Sequence, residues 1–103
     1  MANNITATGE ETANGSSTTD DARVSGNLNT VNTQSGDDKT IVKGNINKVN
    51  AGDGNDKVLI TGNNNTANGG NGKDKLTLTG QNNTANGGNG DDFIRSTGGQ
   101  NRI

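Results

Sequence analysis

From residue 26 the chain reads GNLNTVNTQSGDDKTIVK (26–43), GNINKVNAGDGNDKVLIT (44–61), GNNNTANGGNGKDKLTLT (62–79) and GQNNTANGGNGDDFIRST (80–97). The four units are of equal length, and Gly, Asn, Asp and aliphatic side chains keep the same places in all of them. A fixed period of this size marks a stacked repeat architecture. GGQNRI at 98–103 opens a further unit, and a degenerate copy over 8–25 precedes the run with Ala13, Asn14 and Asp20 in register. The sequence thus divides into an N-terminal segment, residues 1–25, that carries a degenerate repeat, and a regular array over 26–103.

A nine-residue subperiod runs inside the units. Stepping by nine from Ala13 meets Ala22, Val31, Thr40, Val49, Val58, Ala67, Leu76, Ala85, Ile94 and Ile103, of which Thr40 alone is not aliphatic. A column returning twice per unit is what a flattened coil needs when each half turn sends one side chain inward and coils stack in parallel. A second column, Val24, Val42, Ile60 and Leu78, lies two residues further along alternate half turns, so KTIVK, KVLIT and KLTLT read as the longer strands. The expectation is an all-β parallel β-solenoid, 18 residues per coil, with about five coils. A helix is excluded by the Gly and Asn content and by the lack of a 3.6-residue stripe.

Composition narrows the function classes. With 23% hydrophobic residues and a single aromatic, Phe93, an ordinary globular core cannot offset the ordering entropy of the chain, so something else must hold the fold. A net charge of −2, with no array of aromatics for base stacking, argues against nucleic acid. The lack of Cys and His removes disulfides, thiolate metal sites and the commonest general base. No stretch approaches the ~20 apolar residues of a membrane span, and the N-terminus has no basic and apolar regions of a cleaved secretory signal.

Hard, oxygen-ligated cations remain, and the loops point to them. Asp20, Asp38, Asp56, Asp74 and Asp92 each stand one unit apart, so on a solenoid they form a carboxylate ladder with rungs ~4.8 Å apart. Such a ladder repels itself until a cation sits between rungs. Gly36, Gly54, Gly72 and Gly90, with Gly52, Gly70 and Gly88 before them, permit the backbone angles that turn carbonyl oxygens inward. Carboxylates and carbonyls together suit calcium better than magnesium. The expected ligand set is therefore Asp38, Asp56, Asp74 and Asp92 with Gly52, Gly54, Gly70, Gly72, Gly88 and Gly90.

GGNGKDKLT at 69–77 and GGNGDDFIR at 87–95 fill every specified place of GGxGxDxUx, and AGDGNDKVL at 51–59 departs at its first glycine. The chain resembles the calcium-binding RTX (repeats-in-toxin) family. The resemblance implies a right-handed parallel β-roll with calcium between loops of adjacent coils, and secretion from a bacterium by a type I route. TQSGDDKTI at 33–41 keeps only Gly36 and Asp38 of the pattern, and GSSTTDDAR keeps only Gly15 and Asp20. The other edge departs as well, because Asn29, Asn47, Asn65, Asn83 and Asn101 stand where aspartate would. Stacked amides can form neutral ladders that need no ion, or bind calcium weakly through their oxygens, and both readings stay open.

No catalytic constellation is present. The pairs Asp37–Asp38 and Asp91–Asp92 read as ion-binding and solvated loop residues rather than as general acid and base. The expected function is a secreted module that folds on binding calcium. The alternatives are an adhesin, a harpin-like effector or a curli-like self-assembling protein held by asparagine ladders. Ice binding would need a flat outward array, and Asp53, Asn71, Asn89 with Asn55, Lys73, Asp91 are too irregular for it. End-to-end self-association is expected if the terminal strand edges are left bare.

Overall fold

The computed structural model describes residues 3–103; the first two residues of the 1–25 segment lie outside them. The strands alternate between two lengths. The longer set is β1 (Asn3–Ala7), β3 (Asp20–Ser25), β5 (Lys39–Lys43), β7 (Lys57–Thr61), β9 (Lys75–Thr79) and β11 (Phe93–Thr97). Between them lie three-residue strands, β2 (Thr12–Asn14), β4 (Thr30–Asn32), β6 (Lys48–Asn50), β8 (Thr66–Asn68) and β10 (Thr84–Asn86). KTIVK, KVLIT and KLTLT are β5, β7 and β9, as the apolar alternation requires.

Odd strands form one six-stranded sheet in the order β1-β3-β5-β7-β9-β11, and even strands form a five-stranded sheet from β2 to β10. Every strand pairing is parallel; from β3 onward, and throughout the five-stranded sheet, it joins equivalent places of successive units, for instance Val42↔Ile60↔Leu78, whereas β1 meets β3 one residue short of a full unit, Asn3 opposite Asp20. The molecule is therefore a β-solenoid of about five turns, 36 × 31 × 15 Å. The segment before residue 26 belongs to the same stack, since β1 pairs β3, β3 pairs β5 and β2 pairs β4.

The two sheets face each other across a thin core made of the two columns read from the sequence. Val24, Val42, Ile60 and Leu78 are buried, as is the nine-residue column from Ala13 to Ala85. Ile94 is partly buried and Ile103 is 73% exposed, since among the described residues nothing is stacked on their outer side. Thr40 occupies its aliphatic place with a buried hydroxyl that has no hydrogen-bond partner. Chain reversal at the two edges uses positive φ in columns that recur once per coil. One column holds Glu10, Leu28, Ile46, Asn64, Asn82 and Gln100, and another holds Gln34, Gly52, Gly70 and Gly88.

Candidate metal centre

Each coil turns at two edges. The longer loops, 33–38 and its repeats, lead into odd strands and end on the aspartate ladder, whereas the shorter loops, 44–47 and its repeats, lead into even strands and end on the asparagine ladder. Both ladders point inward: Asp20, Asp38, Asp56 and Asp74 are buried, and so are Asn29, Asn47, Asn65 and Asn83. Asp and Asn thus alternate every half turn in equivalent places, and one hydrogen bond is common to both. The amide N–H of Asp38 donates to Asp56 Oδ1 at 2.7 Å and that of Asp56 to Asp74 Oδ1 at 2.9 Å. Likewise the N–H of Asn47 donates to Asn65 Oδ1 and that of Asn65 to Asn83 Oδ1, both at 2.8 Å.

The second side-chain atom separates the edges. Asn47, Asn65 and Asn83 use Nδ2 to donate to the carbonyls of Gly26, Gly44 and Gly62, each at 2.9 Å. The asparagine edge is complete without an ion. Asp38, Asp56 and Asp74 have Oδ2 in place of that donor, and these three oxygens are buried with no hydrogen-bond partner. Leaving a buried oxyanion unsatisfied costs several kcal/mol unless a proton or cation meets it, by the order of magnitude of charge burial.

The outward side chains of the same loops lack this deficit. Asn71 Nδ2 donates to Asp53 Oδ1 at 2.8 Å, Asn89 Nδ2 to Asn71 Oδ1 at 2.9 Å, and the N–H of Asn55 to Asp37 Oδ1 at 2.8 Å. Outside the inward ladder, the Oδ1 of Asp21 on β3 is the other buried carboxylate oxygen without a hydrogen bond among the described residues, and Arg23 stands 3.9 Å from it. Burial raises the Asp56 carboxyl to about 7, with the Asp38 and Asp74 charges adding to it against the lowering effect of the Asp38 amide. Burial likewise pushes Asp38 and Asp74 above the ordinary carboxylate range.

Gly70, Gly72, Gly88 and Gly90 adopt the positive φ expected of them, as do Gly52 and Gly54. At Gly72, φ is +117° and the Gly54 carbonyl lies where a side chain would begin, so only glycine fits. Two further glycines matter that sequence reasoning left out. A Cβ on Gly69 would lie 2.6 Å from Asp74 Oδ2 and 2.8 Å from the Gly87 carbonyl oxygen, and a Cβ on Gly87 would meet Asp92 Oδ2 in the same way. At Gly69 a carboxylate oxygen and a carbonyl from the next coil thus converge on the open side of the glycine. In this column Ala51 is buried in the core, and Thr33 donates its hydroxyl to the Ala51 carbonyl at 2.9 Å. The signal was present in the first glycine of each GGxGxD, the place where 51–56 and 33–38 depart.

The 15–20 loop solves the problem internally, since the N–H of Ser16 donates to Asp20 Oδ2 at 2.8 Å and its hydroxyl to Asp20 Oδ1 at 3.1 Å. Among the described residues no three carboxylates converge on one point, so a cation here would be held by successive aspartates together with backbone carbonyls, as hard cations allow. No helix is long and apolar enough to cross a membrane among the described residues. Comparison with protein-family models, with curated proteins and with solved structures returned no match to this chain.

Proposed function

We propose that the chain is a calcium-binding β-roll of the RTX kind, a secreted structural module whose folding is driven by the ion. The observation that carries this reading is the set of unpartnered oxygens, Asp38, Asp56 and Asp74 Oδ2, stacked on one edge while the equivalent asparagine atoms on the other edge are all engaged. Carboxylates ~4.8 Å apart on consecutive rungs, with the Gly87 carbonyl converging on the Asp74 carboxylate beside Gly69, offer hard oxygen donors of the kind calcium takes. The fit is fullest at 69–74 and 87–92, where Gly69 and Gly87 leave the carboxylates open. Ala51 and Thr33 place side chains on the corresponding sides of the Asp56 and Asp38 loops. When bound, calcium would supply the positive charge that the ladder lacks, held by Asp38, Asp56, Asp74 and Asp92 together with loop carbonyls. Export by a type I route rests on the RTX resemblance.

Calcium titration followed by circular dichroism, beginning in excess chelator, tests the reading. The β-signal should grow with calcium and should respond weakly to magnesium, because metal binding to a site absent from the unfolded chain stabilises the fold. A β-spectrum already complete in chelator would favour the alternative of a constitutive ladder protein, an adhesin or self-assembling subunit. That second reading draws on the amide column, in which Asn32, Asn50 and Asn68 Nδ2 donate to Asn14, Asn32 and Asn50 Oδ1.

A further inference from the structure

The outer face of the odd-strand sheet has a charge pattern that the calcium reading does not use. Lys39, Lys57 and Lys75 stand directly opposite one another on β5, β7 and β9. The next outward column runs Arg23, Ile41, Leu59, Thr77 and Arg95, and Lys43 stands in the third, after Ser25. All six cations are exposed. Asp21, on β3 in register with Lys39, is the carboxylate on this face, and it is spent on Arg23 at 3.9 Å. Although the chain as a whole carries −2, six of its nine lysines and arginines are gathered on this one flat surface, while most of the aspartates lie along the loop edge.

Three features of this face need explaining together. Like charges stacked at ~4.8 Å on neighbouring strands destabilise a sheet, yet among the described residues no acid pairs with the lysine column. Lys75 alone has a neighbour of another kind, the Phe93 ring at 6.0 Å. At the centre of the cations, Ile41 and Leu59 stand side by side and line a shallow depression with Lys39, Lys57, Lys75 and Thr77. An aliphatic pair ringed by cations on a flat face suits a surface that is anionic outside and apolar just beneath. A soluble polyanion would pair the lysines and gain nothing from Ile41 and Leu59.

We propose that this face docks on an anionic lipid surface, with the lysine column against headgroup phosphates and Ile41 and Leu59 entering the acyl boundary. The face is separate from the aspartate edge, so the proposal does not depend on which cation that edge binds.

The test is co-sedimentation of the full chain, folded in saturating calcium, with phosphatidylcholine vesicles containing or lacking phosphatidylglycerol. Binding is expected with phosphatidylglycerol and not without it. Replacing Lys39, Lys57 and Lys75 together by Gln should weaken binding by on the order of a hundredfold, since each lysine near such a surface contributes about 1 kcal/mol. Lys48→Gln with Arg102→Gln, both exposed and in one column of the even-strand sheet, controls for lost positive charge and should change little. Ile41→Thr with Leu59→Thr, which extends the Thr77 identity along the same column, should weaken vesicle binding and leave binding to dextran sulfate unchanged. The proposal is overturned by equal binding to neutral vesicles, by control and face variants that lose binding alike, or by face variants that fold and bind as the parent does. Undiminished vesicle binding by Ile41→Thr with Leu59→Thr would also overturn it and assign the face to a soluble polyanion. Circular dichroism of each variant establishes that it is folded.

Discussion

A single atom distinguishes the edges of this solenoid, because aspartate and asparagine share shape and register and differ in whether the second side-chain atom donates or accepts. Replacing Asp38, Asp56 and Asp74 together by Asn should turn three orphaned oxygens into donors beside inward carbonyls, and so yield a solenoid that holds its β-signal in chelator while binding fewer calcium ions by calorimetry. A variant that still needs calcium to fold would show that those oxygens are not what the ion satisfies. A proton can meet the same oxygens. Asp56 is raised from 3.8 to about 7 in the folded chain, and Asp38 and Asp74 are raised as well. A folded-state value above the unfolded one means that the folded state binds the proton more tightly. This contribution to metal-free stability is therefore full below the ordinary carboxylate value and is lost as pH rises through about 7. In chelator, thermal melts monitored by circular dichroism should show more structure at about pH 4 than at about pH 8. The opposite order would contradict the buried placement of the ladder.

Among the elements, the strands were legible in the sequence and the turns only in part. Val42, Ile60 and Leu78 announce their face by alternation, and a parallel stack with one register leaves them no other place to go. The loops were legible in their glycines, but Gln34 takes the same left-handed turn at φ 71° as Gly52 and Gly70, which residue type does not reveal. That Asp56 Oδ1 takes a backbone N–H and that Thr33 bonds across to Ala51 depend on side-chain geometry, which one sequence does not encode locally. The outward lysine column is less legible, because single lysines one unit apart are solvated positions in the sequence and become a column only through the strand register. On the asparagine edge, Leu28 and Ile46 adopt φ of 64° and 59°, and both are half exposed. Asn64 and Asn82 fill the same place at 59° and 57°. A β-branched residue is strained there whereas Asn tolerates it, so Ile46→Asn should stabilise the fold by about 1 kcal/mol, read as a higher midpoint in urea. An unchanged or lower midpoint would mean that the Ile46 side chain makes a compensating contact.

For the molecule as a whole, the six-stranded sheet has two edge strands, β1 and β11. β11 pairs with β9 alone, and its Phe93 and the neighbouring Ile103 are largely exposed. A bare strand edge beside uncovered apolar side chains templates another strand, so sedimentation in calcium should show association that rises with protein concentration. Arg95→Glu on β11 would change the outward charge without touching the edge and should leave association intact, whereas Ile94→Pro, which removes a backbone donor from the edge strand, should abolish it. Monomer at every concentration would remove the claim.

The pairing of each strand with the strand one coil away also sets how the molecule comes apart. Among the described residues, each coil's strands pair with those of the coil before it and the coil after it and with no distant strand. Tension applied between the ends thus meets no crossing strand that locks the whole, and the weakest interface is always the outermost one. Under an optical trap the solenoid should unwind like thread from a spool, releasing about 60 Å of contour per turn. Higher calcium should raise the force of the turns that contain Asp56, Asp74 and Asp92 more than that of the first turn, where Ser16 already serves Asp20. One rip that releases the entire length would show instead that the ladder columns couple all coils into a single mechanical unit.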